Sequence, residues 1–321
     1  METTKVIITG IGSTTGISVI KGFRKQNKFI TKIVGTDIND KNMIAGSSFC
    51  DSFYTVPKAM DRNYISTLLD ICEKEKVQVL IPIIDQELLI VAENKDEFNS
   101  RGVTVVISDP ETIRICNNKY LTFKFLKDHG FPTANTLIAN EIKDPDSLVY
   151  PIFVKPLDGI SSINAFKVNT PEEFLIAKRK VQNLVVQEYL EGDEYTTDVM
   201  ADFAGNIFAV VPRQRISTKA GISYKGKTCK DSRLMYLGKQ IAESLKIIGP
   251  ANIQCMVSRD IISYFEVNPR FSGSLPLTIA AGINTPLWIL KLLNGETSPN
   301  GLLPFKDVIM TRYWEEIFYE Y

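Results

Sequence analysis

At 321 residues the chain has the length of about two domains and ample material for a large core. Lys plus Arg and Asp plus Glu each number 37, so no global field recruits nucleic acid or an anionic membrane. Five scattered cysteines without a CxxC pair argue against a disulfide framework or zinc site and suit a reducing cytoplasm, and the single His129 excludes chemistry that needs several imidazoles.

The chain enters a short β-branched run at residues 4–9 with no basic segment ahead of it, which speaks against a signal peptide, and no apolar run reaches the roughly 20 residues that span a bilayer. The run ends in Gly10-Ile11-Gly12-Ser13-Thr14-Thr15-Gly16, a helix follows, and Ile33–Asp37 supplies a second strand ending in an acid. Together they mimic a dinucleotide-binding fingerprint, but the spacing is GxGxxxG rather than GxGxxG. The plainer reading is a tight turn with close helix–strand packing; an NAD(P)-dependent oxidoreductase is the alternative.

Phe53–Val56 reads as a strand and residues 61–75 as a helix with Tyr64, Leu68, Leu69 and Cys72 on one face. Val77–Ile84 is almost continuously apolar, as expected of a parallel strand buried on both faces. It ends in Asp85-Gln86-Glu87. Ligands of open α/β sheets sit beyond the carboxyl ends of strands, so Asp85 and Glu87 are candidates to meet a substrate; an acidic first turn of a helix over 86–98 explains them equally well. Val103–Ile107 is a fifth strand, Asp109-Pro110 opens the next helix, and the first domain closes near residue 112.

A helix from Asn117-Asn118-Lys119 runs to about His129, which sits in the last turn, where a cation is favoured. Tyr150–Pro156 is a strand carrying Lys155, and it leads into Leu157–Ser162, a Gly/Ser turn suited to phosphates. Helix 171–180 and strand 184–190 follow, the stretch Glu191–Val199 turns into a strand alternating toward Ala201, and 207–212 is another strand. Next comes the cationic run Arg213, Arg215, Lys219, Lys225, Lys227 and Lys230. Within it Gly221–Thr228 satisfies GxxxxGK[ST], but the polar residues ahead of it are no buried strand and Cys229-Lys230-Asp231 open no apolar helix. A mobile basic loop that closes over an anion is the plainer expectation. Residues 232–247, 275–281 and 286–293 read as helices, and the aromatic tail at 312–319 alternates like a final strand.

The most informative stretch is Ser263–Arg270. Side chains two apart in a strand share a face, so Glu266 and Asn268 point the same way, Arg270 shares their parity, and Pro269 ends the ladder. Asn252–Val257 is another strand, with Ser258-Arg259-Asp260 as the turn. A hairpin would set Gln254 opposite Glu266. One carboxylate with amide oxygens suits a hard cation such as Mg²⁺, which completes its shell with water and phosphate oxygens, and Arg270 beside it is placed to hold an anion. A solvated hairpin edge is the bland counterpart.

In order and spacing, the whole set resembles the ATP-grasp superfamily, and within it the carboxylate-amine ligases related to the carbamoyl-phosphate synthetase large subunit. The resemblance implies an α/β architecture: a Rossmann-like leading domain at 1–112, then a two-part α+β ATP-grasp fold. Its parts are a small lid-bearing subdomain at 113–186 and a large C-terminal subdomain with the metal site at 187–321. Gln254, Glu266 and Asn268 are similar to the family's metal-binding strand pair, whose upstream member is commonly an acid. Lys119 and Lys155 resemble its phosphate-binding lysines, and Gly159, Ser161 and Ser162 its lid loop. Glu188, Tyr189 and Leu190 are similar to the hinge that reads adenine, and Glu194 to the acid that holds ribose hydroxyls.

The activity implied is ATP-dependent ligation with Mg²⁺, Mn²⁺ being a substitute. A substrate carboxylate attacks the γ-phosphoryl group to give an acyl phosphate, Arg270 and Lys155 stabilise the transfer, and an amine displaces phosphate. Arg213, Arg215 and Lys219 are candidates to bind the carboxylate substrate, with a solvated basic face as their alternative. The partners implied are a small-molecule carboxylate and amine, with no nucleic acid and no membrane, and a homodimer is left open. Glutamine at 254 keeps open a non-catalytic, nucleotide-binding regulatory protein of the same fold.

Overall fold

The opening strand–loop–helix forms as its residues require. In β1 (Thr4–Ile8) the side chains of Val6, Ile7 and Ile8 are wholly buried, and the chain leaves through the glycine turn into α1 (Thr14–Arg24). The computed structural model describes residues 3–320 except 27, 30, 159–162 and 220.

β2 (Thr31–Asp37), β3 (Ser52–Thr55), α2 (Tyr64–Glu75), β4 (Val79–Ile81), α3 (Asp85–Glu93), α4 (Lys95–Ser100) and β5 (Thr104–Val105) complete the first sheet. Its strands are parallel in the order β3-β2-β1-β4-β5, the Rossmann-like arrangement. β4 is shorter than its apolar run, because Pro82 lacks the N–H that a central ladder needs. The helix expected over 86–98 divides at Asn94, whose Nδ2 donates to the Ile90 carbonyl at 2.7 Å.

α5 (Pro110–Asn117) and α6 (Lys119–Asp128) lead to a four-stranded antiparallel sheet of β6 (Thr136–Ile138), β7 (Ile152–Pro156), β8 (Phe166–Val168) and β9 (Leu184–Glu188), with α7 (Pro171–Lys180) between β8 and β9. Its order is β6-β9-β7-β8. The largest sheet has six strands: β10 (Asp193–Ala201), β11 (Ile207–Lys219), β12 (Ile222–Thr228), β13 (Pro250–Ser258), β14 (Ile261–Asn268) and β15 (Ile309–Thr311). They are ordered β14-β13-β10-β11-β12-β15, all antiparallel. α8 (Ser232–Ser244) connects β12 to β13, and α9 (Leu275–Ala280) and α10 (Thr285–Leu293) follow β14.

Two expectations are corrected here. The cationic run is no loose loop: β11 continues through Arg213 and Arg215 to Lys219 and turns at Gly221 (φ +74°) into β12. The GxxxxGK[ST] match is therefore a β-strand, unable to wrap a phosphate as a strand-to-helix loop does. The aromatic tail is irregular beyond Thr311, because β15 pairs with β12 only over Lys225–Lys227; Tyr313, Trp314 and Phe318 are exposed.

One apolar core runs from the leading sheet into the large one, with Val6, Val19 and Phe23 in a cluster with Phe208, Ile289 and Leu290. α1 packs closely on the C-terminal helices at Gly22, where an added Cβ would stand 2.7 Å from Pro286. This contact fixes the last turn of α1 against α9 and α10. No helix among the described residues is long and apolar enough to cross a membrane.

Candidate active site

All three sheets contribute to one cleft of about 630 Å³. Lys119, Lys155, Glu188, Tyr189, Leu190, Glu194, Gln254, Glu266, Asn268 and Arg270 line it, with Asp85 and Arg215. Phe153, Ile163, Leu190 and Met256 supply apolar wall, whereas Ser13, Thr14, Thr15, Ser223 and Ser272–Ser274 make a hydroxyl-rich region.

β13 and β14 pair in the register Gln254↔Glu266 and Asn252↔Asn268. The next pair is Cys255↔Tyr264, so Phe265 is an extra residue and β14 carries a bulge. Tyr264 and Val267 are buried, while Phe265, Glu266 and Asn268 all face the cleft. The bulge thus turns two successive side chains into the same space, where plain alternation would hide one.

The amide of Asn268 is oriented by its neighbours. Its Nδ2 donates to Glu266 Oε1 at 3.0 Å and to Asn252 Oδ1 at 3.2 Å, which leaves Oδ1 unengaged among the described residues. Asn252 is anchored in turn through its own Nδ2 to the Arg270 carbonyl at 3.1 Å. No cluster of three acidic, histidine or cysteine ligands occurs among the described residues. The donor set is one carboxylate and two amide oxygens. That fits Mg²⁺ carried in with phosphates better than a metal caged by protein alone.

Lys155 crosses from β7 to this hairpin. Its Nζ lies 5.1 Å from the Phe265 ring centroid and donates to the Phe265 carbonyl at 3.4 Å. Burial lowers its pKa to about 8; Glu266 and Glu194 oppose the fall and Lys119 adds to it. Lys119 opens α6, where the Asn118 side chain caps the amides of Tyr120 and Leu121. Glu194 pairs with Arg215, and burial raises its pKa against that contact. Arg215 also donates to the Gly221 carbonyl at 2.6 Å, tying β10 to the hairpin tip.

Arg270 makes a two-point contact with Asp85, Nε to Oδ1 at 2.7 Å and Nη2 to Oδ2 at 2.8 Å. Burial works against the guanidinium charge, but Asp85 outweighs it and raises the pKa above its ordinary value. Asp85 therefore faces the cleft with both carboxylate oxygens already committed.

Other expected site residues lie elsewhere. Glu87 is buried behind the sheet, accepting from Thr9, Tyr64 and the amides of Ile83 and Ile84, the last two at 2.8 Å. It caps α3 and holds the strand–helix crossover. Replacing Glu87 by alanine should cost about 3 kcal/mol of unfolding free energy in urea titration, because Tyr64 and the Ile84 amide lose their acceptor and Thr9 and the Ile83 amide each lose one of two. Arg213 is also fully buried, ion-paired with Asp198 and donating to Ser272 and Ser274, so it braces the cleft wall from behind. Lys219 stacks on Tyr224, its Nζ 4.2 Å from the ring centroid, outside the cleft lining. Gly159, Ser161 and Ser162 lie outside the described residues.

The dinucleotide reading meets a specific obstacle. Asp37, the acid that would take ribose hydroxyls, accepts from the Gly12 amide at 2.8 Å and from Asn39 at 3.0 and 2.8 Å. It serves the glycine turn itself. Residues the sequence did not single out are Thr14, Thr15, Asn252, Phe265, Ser223 and the Ser272–Ser274 turn. Only the last carried a signal, by following Asn268-Pro269-Arg270 directly.

The family described as "ATP-grasp in the biosynthetic pathway with Ter operon" matches residues 180–317, and "PylC-like, N-terminal domain" matches residues 6–106. The carbamoyl phosphate synthase large chain of Agathobacter rectalis is 27% identical over 242 residues, 65% of this chain and 22% of that protein. That of Thermotoga neapolitana is 26% identical over 259 residues, 73% of this chain and 23% of that protein. The chain thus spans about a fifth of the length of these curated relatives. Among solved structures, N5-carboxyaminoimidazole synthetase from Staphylococcus aureus complexed with ADP superposes with a TM-score of 0.74 at 16% identity, covering 97% of this chain and 82% of that one. An L-amino acid ligase from Bacillus licheniformis gives 0.70 at 17%, covering 90% and 73%. With a parallel leading sheet, two antiparallel sheets and one cleft lined by all three, the chain has the ATP-grasp fold, with an ATP-grasp match over residues 180–317 behind a PylC-like N-terminal domain match over 6–106.

Proposed function

We propose that this protein is an ATP-dependent ligase that joins a small-molecule carboxylate to an amine through an acyl phosphate, releasing ADP and phosphate. The observation that carries the reading is the convergence of Lys119, Lys155, Gln254, Glu266, Asn268 and Arg270 on one cleft. We assign adenine to the apolar wall near Tyr189 and Leu190, and the ribose to Glu194. The phosphates lie toward Lys155 and Lys119. Gln254, Glu266 and Asn268 would hold Mg²⁺, or Mn²⁺ in its place; the ion, when bound, offsets phosphate charge.

Lys155 and Lys119 draw the phosphate chain into line, and Arg270 faces the group being transferred. The substrate carboxylate oxygen attacks the γ-phosphorus and the bond to the β-phosphate oxygen breaks. The amine then attacks the acyl carbon, phosphate leaves, and the amine gives up its proton. No side-chain nucleophile is required. Asp85 positions Arg270 instead of reacting, so Asp85→Asn should lower turnover about 10- to 100-fold while the nucleotide Kd stays within about twofold, read by steady-state kinetics and titration.

The division into 1–112, 113–186 and 187–321 is part of this proposal, with β9 straddling the second boundary. So are a cytoplasmic setting, which the five free cysteines suit, and a homodimer, testable by light scattering. The test of function is Mg²⁺-dependent ADP release across a panel of acids and amines, with hydroxylamine present to trap an acyl phosphate as a hydroxamate. ADP release with hydroxamate is the expected result; nucleotide binding without turnover in any pairing would favour the non-catalytic reading, which Gln254 in the metal set supports.

A further inference from the structure

We infer that one of the two substrates carries a second, spectator carboxylate, which docks at the N-terminus of α1 among Thr15, Ser223 and Gly273. The inference rests on the ligase reading and adds the chemical class of the substrate to it. α1 has eleven residues and no acidic side chain in its first turn, so its positive end is not offset from within the helix. Ser13 uses its hydroxyl to cap Gly16, leaving the threonines to face the cleft.

The independent observation comes from the hydroxyls. Thr15 is 9% exposed and Ser223, on β12, is 5% exposed; both line the cleft, and neither Oγ has a hydrogen-bond partner among the described residues. The side chains are largely buried while their oxygens are open to the cleft and unpartnered, so both hydroxyls are free to donate to an acceptor that enters it. A Cβ on Gly273 would stand 3.4 Å from both Thr14 Oγ1 and Thr15 Oγ1, in van der Waals contact with them, so the bare glycine leaves the hydroxyls uncovered on that side. Arg312 donates to the Gly273 carbonyl and has no acidic partner among the described residues, which adds positive charge behind the turn.

The acids lining the cleft do not oppose an anion here. Asp85 and Glu194 are paired with Arg270 and Arg215, Glu188 accepts from the Asn135 amide at 3.0 Å, and Glu266 belongs to the hairpin. Hydroxyls and a helix end without a lysine match a singly charged carboxylate; a phosphate dianion calls for more charge.

The carboxylate belongs either to the amine, as in an amino acid, or to the acid, as in a dicarboxylate. Calorimetric titration of the intact chain with MgADP bound separates the two: glycine, alanine and serine against their amides, and succinate against succinamate. In one of these comparisons the form with the extra carboxylate should bind at least about tenfold more tightly. Thr15→Val and Ser223→Ala should each remove most of that preference, and Gly273→Ala, which fills the space, should remove it too. Absence of any preference, a preference untouched by the three variants in chains that melt normally, or tighter binding of inorganic phosphate would overturn the proposal. Carboxylate binding in a chain that does not bind MgADP would count against the ligase reading and leave the subsite standing.

Discussion

Replacing Glu266 with alanine should reduce Mg²⁺-dependent ADP formation by at least about 100-fold. Partners that merely orient a metal ligand are worth 10- to 100-fold, and Glu266 supplies the only carboxylate of its set. The same change frees the Asn268 amide from its 3.0 Å contact and lets its oxygen turn away, so the loss should exceed that of Gln254→Ala. The unfolding temperature should change little, because Glu266 is partly exposed and its contacts lie at the cleft surface. ADP formation at the parent rate in this variant would show that the hairpin does not hold the metal.

Lys155→Met should do two opposite things at once. A lysine whose pKa has fallen from 10.5 to about 8 binds fewer protons folded than unfolded between those limits, so stability rises with pH across that window. Below pH 8 the buried charge costs about 3 kcal/mol. Methionine keeps the packing and removes the charge, so the unliganded variant should melt a few degrees higher at pH 7, with the gain vanishing near pH 10.5. Nucleotide affinity should meanwhile drop at least about 100-fold. In the parent chain, nucleotide affinity should weaken as pH rises above about 8, because the proton that phosphate would hold in place is lost. A melting temperature that falls at pH 7, or nucleotide affinity flat between pH 7 and 9.5, would remove Lys155 from the phosphate site.

The hairpin was legible because three cues agreed: period-two spacing of Glu266 and Asn268, a proline stop, and a turn at Ser258–Asp260. The pairing of Gln254 with Glu266 itself depends on the bulge, because the register that starts at Ser258 and Ile261 would otherwise set Gln254 opposite Phe265. Phe265 was not legible, since a bulge depends on how the partner strand is held, not on the residue inserted. Asp85 and Glu87 look equivalent in sequence, two acids two positions apart at the start of a helix. The folded chain separates them completely, one to Arg270 across the cleft and the other into the core behind β1. The same limit hid Arg213, whose role depends on Asp198 and on serines some 60 residues away. In the basic run, charge outweighed the alternation that continues β11; its partner strand lies across a tight glycine turn.

The six-stranded sheet also acts as a ruler. Asn268 on β14 and Ser223 on β12 sit four strand intervals apart, and at about 4.8 Å per interval that separation is roughly 19 Å. Backbone ladders cannot stretch, so the span between the cation hairpin and the hydroxyl corner is quantised. Lengthening or trimming β12's turn would alter which molecules fit without disturbing the phosphate end. A single scaffold could in this way be retuned to new acceptors through its far edge alone.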